Sequence, residues 1–357
     1  MVIEFFGAYN KEYPRNAVFR KGLKLNGITV IEHYVSHHYK SYKTYPLLVK
    51  KFVAQRKKKL NSVIFVPEFN HRTVPLAWLI ARITGKQLIF DPLVSLYDSI
   101  ILNRSFSAHS SLNEKKYYYY DRLSFKLADI ILADTNEHKK YFINTYHCSP
   151  EKIHCIPVGA DDEIFVPDTS EHNNKKTFSV LFYAKCTQMH GVDIIYQAAL
   201  AMSTYYPNIH FTLIGSGLPF DIIRNDGATK QLPHITFMDS IPLSELIIQM
   251  NKSDVILGIF GLTEKAGRVI PNKVIQGLAM KKPVITMDSA AIRELFIPGT
   301  HLLTCEAGNP QSLADTLLAL YQDTNLQNNI ASAGYQLYKK KLTPRPLAQE
   351  LMSVVKE

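Results

Sequence analysis

The sequence predicts an α/β protein of two doubly wound domains. Three observations carry this. The chain is 357 residues long, more than one ordinary core accommodates. Short apolar runs alternate with helical stretches, the pattern of βαβ units around a parallel sheet, and the alternation runs its course once and then begins again. A polar run at 168–177, DTSEHNNKKT, separates the two series and is the best linker candidate.

In the first series, strands are expected at Val2–Phe6, Val30–His33, Ser62–Val66, Gln87–Phe90 and Ile130–Ala133. Helices are expected at Arg15–Asn26, Tyr45–Lys59, Val74–Thr84 and Tyr117–Ala128. Lys152–Pro157 adds a strand before the chain leaves the domain through VGADDEIFVP, where Asp161 reads as a turn-former. In the second series, strand Phe178–Tyr183, helix Val192–Tyr205, strand Ile209–Ile214, a helix near Leu218–Asn225, strand Ile235–Phe237 and helix Ser244–Asn251 precede VILGIFGLTEKAGRVIPNKVIQGLAMKKPVITMD (255–288). Helix Pro310–Gln322 follows, and the helical tail from Leu326 is broken by Pro344 and Pro346.

Composition bounds the class. Hydrophobic residues at 46% and charged residues at 20% are those of a globular protein. No run of about 18 uncharged apolar residues appears, and the N-terminus reads as a strand and not as a secretory signal. Four cysteines, Cys148, Cys155, Cys186 and Cys305, lack metal-ligand spacing and read as free thiols; no metal is expected. The charge is uneven. Residues 1–60 hold thirteen Lys and Arg against three Glu, a local net of +10, whereas residues 171–357 net only +2. Segment 40–59, continuous with YKSYKTYPLLVKKFVAQRKKK (39–59), mixes aromatics, leucines and lysines and suits an anionic membrane surface. An ordinary helix packing its apolar face on the sheet is the alternative. Nucleic acid is not expected, since no RNP, KH or zinc pattern accompanies the charge.

Residues 255–288 say most about function. They read as a buried strand, a loop bearing glycines and charges, a helix opened by Pro271 and a second buried strand, Pro283–Met287. Proline suits a first helical turn, where its missing N–H costs nothing. The backbone amides around Asn272, Lys273 and Val274 then lack helical partners and form an anion site with the helix dipole. Arg268 and Lys273 flank it, which points to a phosphate-bearing ligand.

This segment resembles the donor-site signature of retaining glycosyltransferases of family 4, which have the GT-B fold. The usual signature holds two glutamates eight positions apart; Arg268 and Gln276 stand there, in an R-x-IPNKV-x-Q pattern similar to a recognisable subgroup. An arginine cannot do a carboxylate's work beside the transferred sugar, whereas Gln276 can still hydrogen-bond ribose hydroxyls. FYAKCTQMHG (182–191) resembles the family segment whose basic residue meets the donor diphosphate, with Lys185 in that place and His190 where lysine is common. LIGSG (213–217) resembles the family's glycine turn, giving Gly215 to the donor. MDSAAIREL (287–295) resembles the segment that follows, and Glu294 there is read as structural.

The resemblance implies two Rossmann-like domains facing across a cleft. The first, 1–167, binds the acceptor and is rejoined by a C-terminal helix over 340–357. The second, 168–339, binds a nucleotide-diphosphate sugar as co-substrate without further cofactor. In the first domain Gly7 and Arg15 follow the first strand and are site candidates, with a surface turn as the alternative. DPLVSLYD (91–98) follows another strand and offers Asp91, Ser95 and Asp98; either carboxylate can take a proton from an acceptor hydroxyl or cap a helix. Asp134 or Thr135 caps the helix bearing His138.

The expected function is retaining transfer of a hexose-type sugar to a hydroxyl of a lipid-linked, polysaccharide or lipopolysaccharide acceptor, in the cytoplasm at the inner face of the membrane. Lys185, Arg268 and Asp98 are the catalytic candidates. Lys185, Arg268, Lys273 and the helix mouth at Asn272 would neutralise the leaving diphosphate. The missing glutamates favour one alternative, a catalytically silent nucleotide-binding paralogue. A sugar-nucleotide epimerase of the same fold is another, without an acid cluster to support it.

Overall fold

The computed structural model describes residues 1–36, 41–55, 62–102, 111–168, 177–230 and 232–355. The chain divides into two compact units, Met1–Asp161 with Thr343–Glu357, and Asp162–Leu342.

The first unit holds six parallel strands: β1 (Val2–Tyr9), β2 (Thr29–Ser36), β3 (Ser62–Val66), β4 (Gln87–Phe90), β5 (Ile130–Ala133) and β6 (Ile153–Cys155). They lie in the order β2-β1-β3-β4-β5-β6. Its inner strands are unbroken apolar runs because both faces of a parallel sheet are covered; all five residues of β3, SVIFV, are buried. Successive side chains go to opposite faces. Phe6 and Val66 join the core under α2 (Ser41–Gln55), α3 (Val74–Thr84), α4 (Ser111–Leu127) and α5 (Asn136–Tyr146), while Phe5 and Phe65 join the other core with α1 (Pro14–Leu25). Local chemistry sets the helix starts. Proline opens α1 and lies in the first turn of α3, and the Thr135 hydroxyl accepts from the His138 N–H at 3.0 Å to cap α5. β1 runs to Tyr9 and so contains Gly7, which the sequence placed beyond the strand.

The second unit repeats the plan with β7 (Phe178–Lys185), β8 (Ile209–Ser216), β9 (Ile235–Met238), β10 (Val255–Leu257), β11 (Val284–Met287) and β12 (Leu303–Cys305). Their order is β12-β11-β10-β7-β8-β9, all parallel. Around them run α6 (Val192–Ser203), α7 (Leu218–Lys230), α8 (Leu243–Lys252), α9 (Glu264–Arg268), α10 (Asn272–Ala279), α11 (Ala290–Leu295), α12 (Pro310–Gln322) and α13 (Thr324–Lys341). Helix α9 falls where the sequence suggested a loop; Thr263 starts it, its hydroxyl accepting from the Ala266 N–H at 3.2 Å. β12 and α11 are further additions, both too short for periodicity to reveal.

The helical tail breaks after α13, and α14 (Pro344–Val354) begins with proline in its first turn and rejoins the first unit. No helix among the described residues is long and apolar enough to cross a membrane.

Helix α14 buries Leu347, Ala348 and Leu351 against Val18, Phe19 and Leu23 of α1. The approach depends on Gly22, where a Cβ would lie 1.9 Å from the Pro344 carbonyl oxygen and 2.8 Å from the Ala348 Cβ. Gly22→Ala forces the helices apart and should destabilise the first unit by about 1–3 kcal/mol, the usual effect of overpacking. Gly267→Ala, with open space around its Cβ, should be neutral or slightly stabilising, since alanine is the better helix former. Thermal melts of the two variants check this; equal melting temperatures would contradict the packing.

Candidate functional site

In the second unit the strands succeed one another outward from β7 through β8 to β9 in one direction, and from β10 through β11 to β12 in the other. The order therefore reverses between β7 and β10, and in open α/β sheets ligands bind beyond the carboxyl ends of the strands at such a switch point. The loops after β7 and β10 meet there backbone to backbone. The Phe260 N–H donates to the His190 carbonyl at 3.1 Å, and the Gly261 N–H to that of Met189 at 3.2 Å. Gly191 makes the approach possible: its φ is +60°, and a Cβ would lie 2.6 Å from Phe260 and Gly261 backbone atoms.

The first turn of α10 opens beside this junction. Pro271 is the cap residue (φ −71°, ψ 143°) and not, as the sequence suggested, the first helical residue; its carbonyl accepts from the Val274 N–H at 2.9 Å. The amides of Asn272 and Lys273 precede any intrahelical acceptor and remain available. Lys273 is only 6% exposed. Its ammonium lies 4.2 Å from the centre of the Phe182 ring and 5.9 Å from that of Tyr183, and has no hydrogen-bond partner among the described residues. Burial pushes its pKa down to about 7.

One turn further, Gln276 accepts a hydrogen bond from the Tyr183 hydroxyl at 2.7 Å; burial keeps that phenol protonated. His190 is held down to about 3, by burial first and then by Lys273. Its Nδ1 accepts from the Thr187 N–H at 3.0 Å, which leaves the ring proton on Nε2. Lys185 is the exposed last residue of β7. Gly215 lies in β8, with the Ala184 carbonyl oxygen 2.3 Å from where a Cβ would be. Arg268 ends α9, its side chain 12% exposed and its Nη1 3.1 Å from Glu264. Lys265, which the sequence reading did not single out, is buried one turn before Arg268 and also lowers the pKa of His190. Free amides, a desolvated ammonium and a neutral imidazole together make a receptor for an anion.

In the first unit the residues expected to meet an acceptor are interior. Arg15 and Asp91 are 1% and 0% exposed and pair with each other, Nε lying 2.7 and 2.9 Å from the two carboxylate oxygens, while the Arg15 Nη1 donates to the carbonyls of Ile156 and Pro157 at 3.0 and 3.2 Å. Burial raises the Asp91 pKa and Arg15 opposes it. Ser95 donates to Asp121 at 2.8 Å and accepts from the Asp98 N–H at 2.9 Å; both Ser95 and Asp98 are buried. Asp121, unremarked in the sequence, is the hub. It also accepts the N–H groups of Leu96 and Tyr97 and the Tyr146 hydroxyl, each at 2.9 Å, and fixes the segment after β4. Gly7 faces Asn70, whose Oδ1 would lie 2.9 Å from a Cβ at φ +155°. His138 is buried beside Asp134.

Of the basic segment 40–59, α2 turns Leu48 and Phe52 inward and leaves Val49, Lys50, Lys51 and Val53 exposed. Tyr39, Lys40 and Arg56 to Lys59 lie outside the described residues, as does most of the 168–177 linker.

Known proteins match this arrangement. Residues 177–323 fit the family model of Glycosyl transferases group 1. An uncharacterized glycosyltransferase of Methanocaldococcus jannaschii is 27% identical over 160 residues, 45% of this chain and 43% of the relative. D-inositol 3-phosphate glycosyltransferase of Corynebacterium diphtheriae is 21% identical over 246 residues, 64% of this chain and 56% of the relative. The chain thus spans about half the length of the curated relatives it matches. Among solved structures, Anabaena HepE in complex with UDP and glucose superposes with a TM-score of 0.70 at 16% identity, and sucrose-phosphate synthase of Thermosynechococcus elongatus with 0.73 at 13%. Each superposition covers 99% of this chain and 98% of the other. The chain has the two-unit α/β fold of the GT-B glycosyltransferase structures, and its residues 177–323 are similar to the Glycosyl transferases group 1 family.

Proposed function

We propose that the protein is a retaining glycosyltransferase that moves a sugar from a nucleotide-diphosphate sugar to a hydroxyl of a lipid-linked or polysaccharide acceptor. The observation that carries the reading is the first turn of α10. Two available amides and the unpartnered ammonium of Lys273 gather at the switch point of the second sheet, where a diphosphate would bind. Lys185 and Arg268 reinforce the positive charge. Together they take the part that a divalent ion plays in other transferases, stabilising the diphosphate as it leaves. Gln276, oriented by Tyr183, holds the ribose. In the transfer the bond from the anomeric carbon to the β-phosphate oxygen breaks, and a bond to the acceptor oxygen forms on the same face. The acceptor's proton passes to the departing phosphate. UDP is the first nucleotide to test, because the similarly folded HepE was crystallised with UDP and with UDP-glucose. The R-x-IPNKV-x-Q pattern marks a specialised subgroup in this reading. The inner membrane surface is where the acceptor is met, with Lys50, Lys51 and the exposed Val49 and Val53 facing it.

A second reading is a nucleotide-binding protein without turnover. It is favoured by Arg268, which stands in place of an acid and whose guanidinium pairs with Glu264. Binding without hydrolysis or transfer of the donor sugar separates it from the first.

Lys273 couples this site to pH. Its pKa is about 7 in the folded chain against 10.5 for the free side chain, so between those values the unfolded state binds more protons and stability rises with pH. Lys273→Met should therefore be more stable than the parent at pH 7, and the gap should close toward pH 10. Chemical denaturation at several pH values checks it; a gap independent of pH would contradict the burial. For the function itself, Arg268→Ala and Lys273→Ala should each weaken UDP binding about tenfold or more, a charge-assisted hydrogen bond contributing about 1.5–3 kcal/mol. Unchanged calorimetric affinity in both variants would remove the diphosphate site.

A further inference from the structure

Helix α3 occupies the middle of one face of the first unit. It shares a core with α2 and α4, and it lies between them because α2 leads into β3, α3 into β4 and α4 into β5. Contacts on both sides agree. The Tyr45 hydroxyl of α2 donates to the Arg72 carbonyl just before α3, and the Lys86 ammonium just after it lies 5.2 Å from the centre of the Phe52 ring of α2. Toward α4, the Arg72 guanidinium lies 5.3 Å from the centre of the Tyr120 ring.

The sequence of α3, VPLAWLIARIT, is apolar all round. Val74, Ala77, Ile80 and Ala81 are buried against the sheet, as one face of a surface helix should be. The opposite face should be polar and is not. Leu79 is 48% and Ile83 72% exposed, with Pro75, Leu76 and Trp78 half-buried around them. Leu76, Leu79 and Ile83, three and four residues apart, form one ridge. Arg82 is the only charged side chain of the helix, and it pairs with Asp129 at 2.6 Å. Single exposed apolar residues are ordinary; a continuous row of them marks a contact surface.

The neighbouring helices widen the ridge and flank it with positive charge. Val49 and Val53 of α2 are exposed, as are Tyr119 and Leu123 of α4. So are Lys50 and Lys51 on α2, and Lys115, Lys116, Arg122 and Lys126 on α4. The acids of the three helices are Glu114, half-buried, and Asp121, fully buried. No acidic side chain is exposed on this face among the described residues of those helices.

We propose that α3 is the element that enters an anionic lipid bilayer, placing Leu76, Leu79 and Ile83 among the acyl chains while the lysines of α2 and α4 meet headgroup phosphates. This rests on the membrane placement of the transferase and goes beyond it, because contact through the charges of α2 needs no apolar ridge on its neighbour. At eleven residues α3 is too short to cross a bilayer. A helix lying in the interfacial plane instead buries its apolar side about 5–10 Å deep. Tyr45, Trp78 and Tyr119 then sit near the headgroups, where aromatic rings collect. A second copy of the chain would also cover the ridge, but it would set the lysines of one protomer against those of the other. Anionic lipid answers both features, hydrocarbon for the ridge and negative charge for its flanks.

Trp78 is the only tryptophan of the chain, so its fluorescence reports on α3 directly. The full chain is titrated with vesicles of phosphatidylcholine mixed with phosphatidylglycerol. Trp78 emission should move to shorter wavelength and be quenched by lipids brominated near the headgroup end of their acyl chains. Vesicles of phosphatidylcholine alone should bind about tenfold more weakly or less, since the lysines then lose their partners. The double variant Leu79→Ser, Ile83→Ser should bind the anionic vesicles about tenfold or more weaker than the parent, with UDP affinity unchanged. Ile83→Ser alone, at the most exposed position, should show the same direction and decides the matter if the double variant fails to fold. Vesicle binding undiminished in these variants, or binding that leaves Trp78 unshifted and unquenched, would overturn the proposal. So would a parent that ignores vesicles but self-associates through the ridge, seen as a dimer that Ile83→Ser dissociates. A parent that binds vesicles through α3 but no UDP would instead overturn the transferase reading and leave the role of α3 standing.

Discussion

A cation buried with no hydrogen-bond partner among the described residues, Lys273, is the constraint on which the second unit turns. An ammonium inside a protein is normally paired with a carboxylate, because desolvation is otherwise uncompensated. Lys273 has a phenylalanine face in place of a carboxylate. Its backbone belongs to the first turn of α10, whose leading amides carry the positive end of the helix dipole. The arrangement is poor for the empty protein and good for a bound dianion, as expected where a fold accepts a local cost for a site. Much of the surrounding structure serves that turn. The β7 and β10 loops zip together beside it, and Tyr183 fixes Gln276 one turn on.

Both units obey one topological rule with different strand orders. In the second the sheet reverses between β7 and β10, in the first between β1 and β3. The reversal in the second unit has the buried Lys273 and the start of α10 beside it, that in the first a cavity walled by tyrosines with the buried Glu68.

How much of this was legible in sequence depends on range. Strands such as SVIFV at 62–66 and IILA at 130–133 were readable to the residue, since unbroken apolar runs between turn signals have few other outcomes. The cationic helix start was readable too, because Arg268, Pro271, Asn272, Lys273 and Gln276 are neighbours in sequence. Even so, Pro271 caps the helix where it had been expected to open it, and a five-residue helix such as α9 leaves no periodic trace. The first unit was much less legible. Arg15 and Asp91, 76 residues apart, each look like strand-end site residues until folding pairs them. Glu68 and Asn70 look like turn formers in VPEFNH, and Asp121 like a polar residue on a helix. Their importance comes from burial, which spacing does not encode.

The most direct measurement is the titration of the Lys273 ammonium itself, followed by NMR of specifically labelled lysine with and without UDP. The account predicts a pKa near 7 in the empty protein, rising to about 9 or above when the diphosphate supplies the missing negative charge. A lysine that titrates at the ordinary value of about 10.4 in the empty protein, or whose titration UDP leaves unmoved, would contradict it.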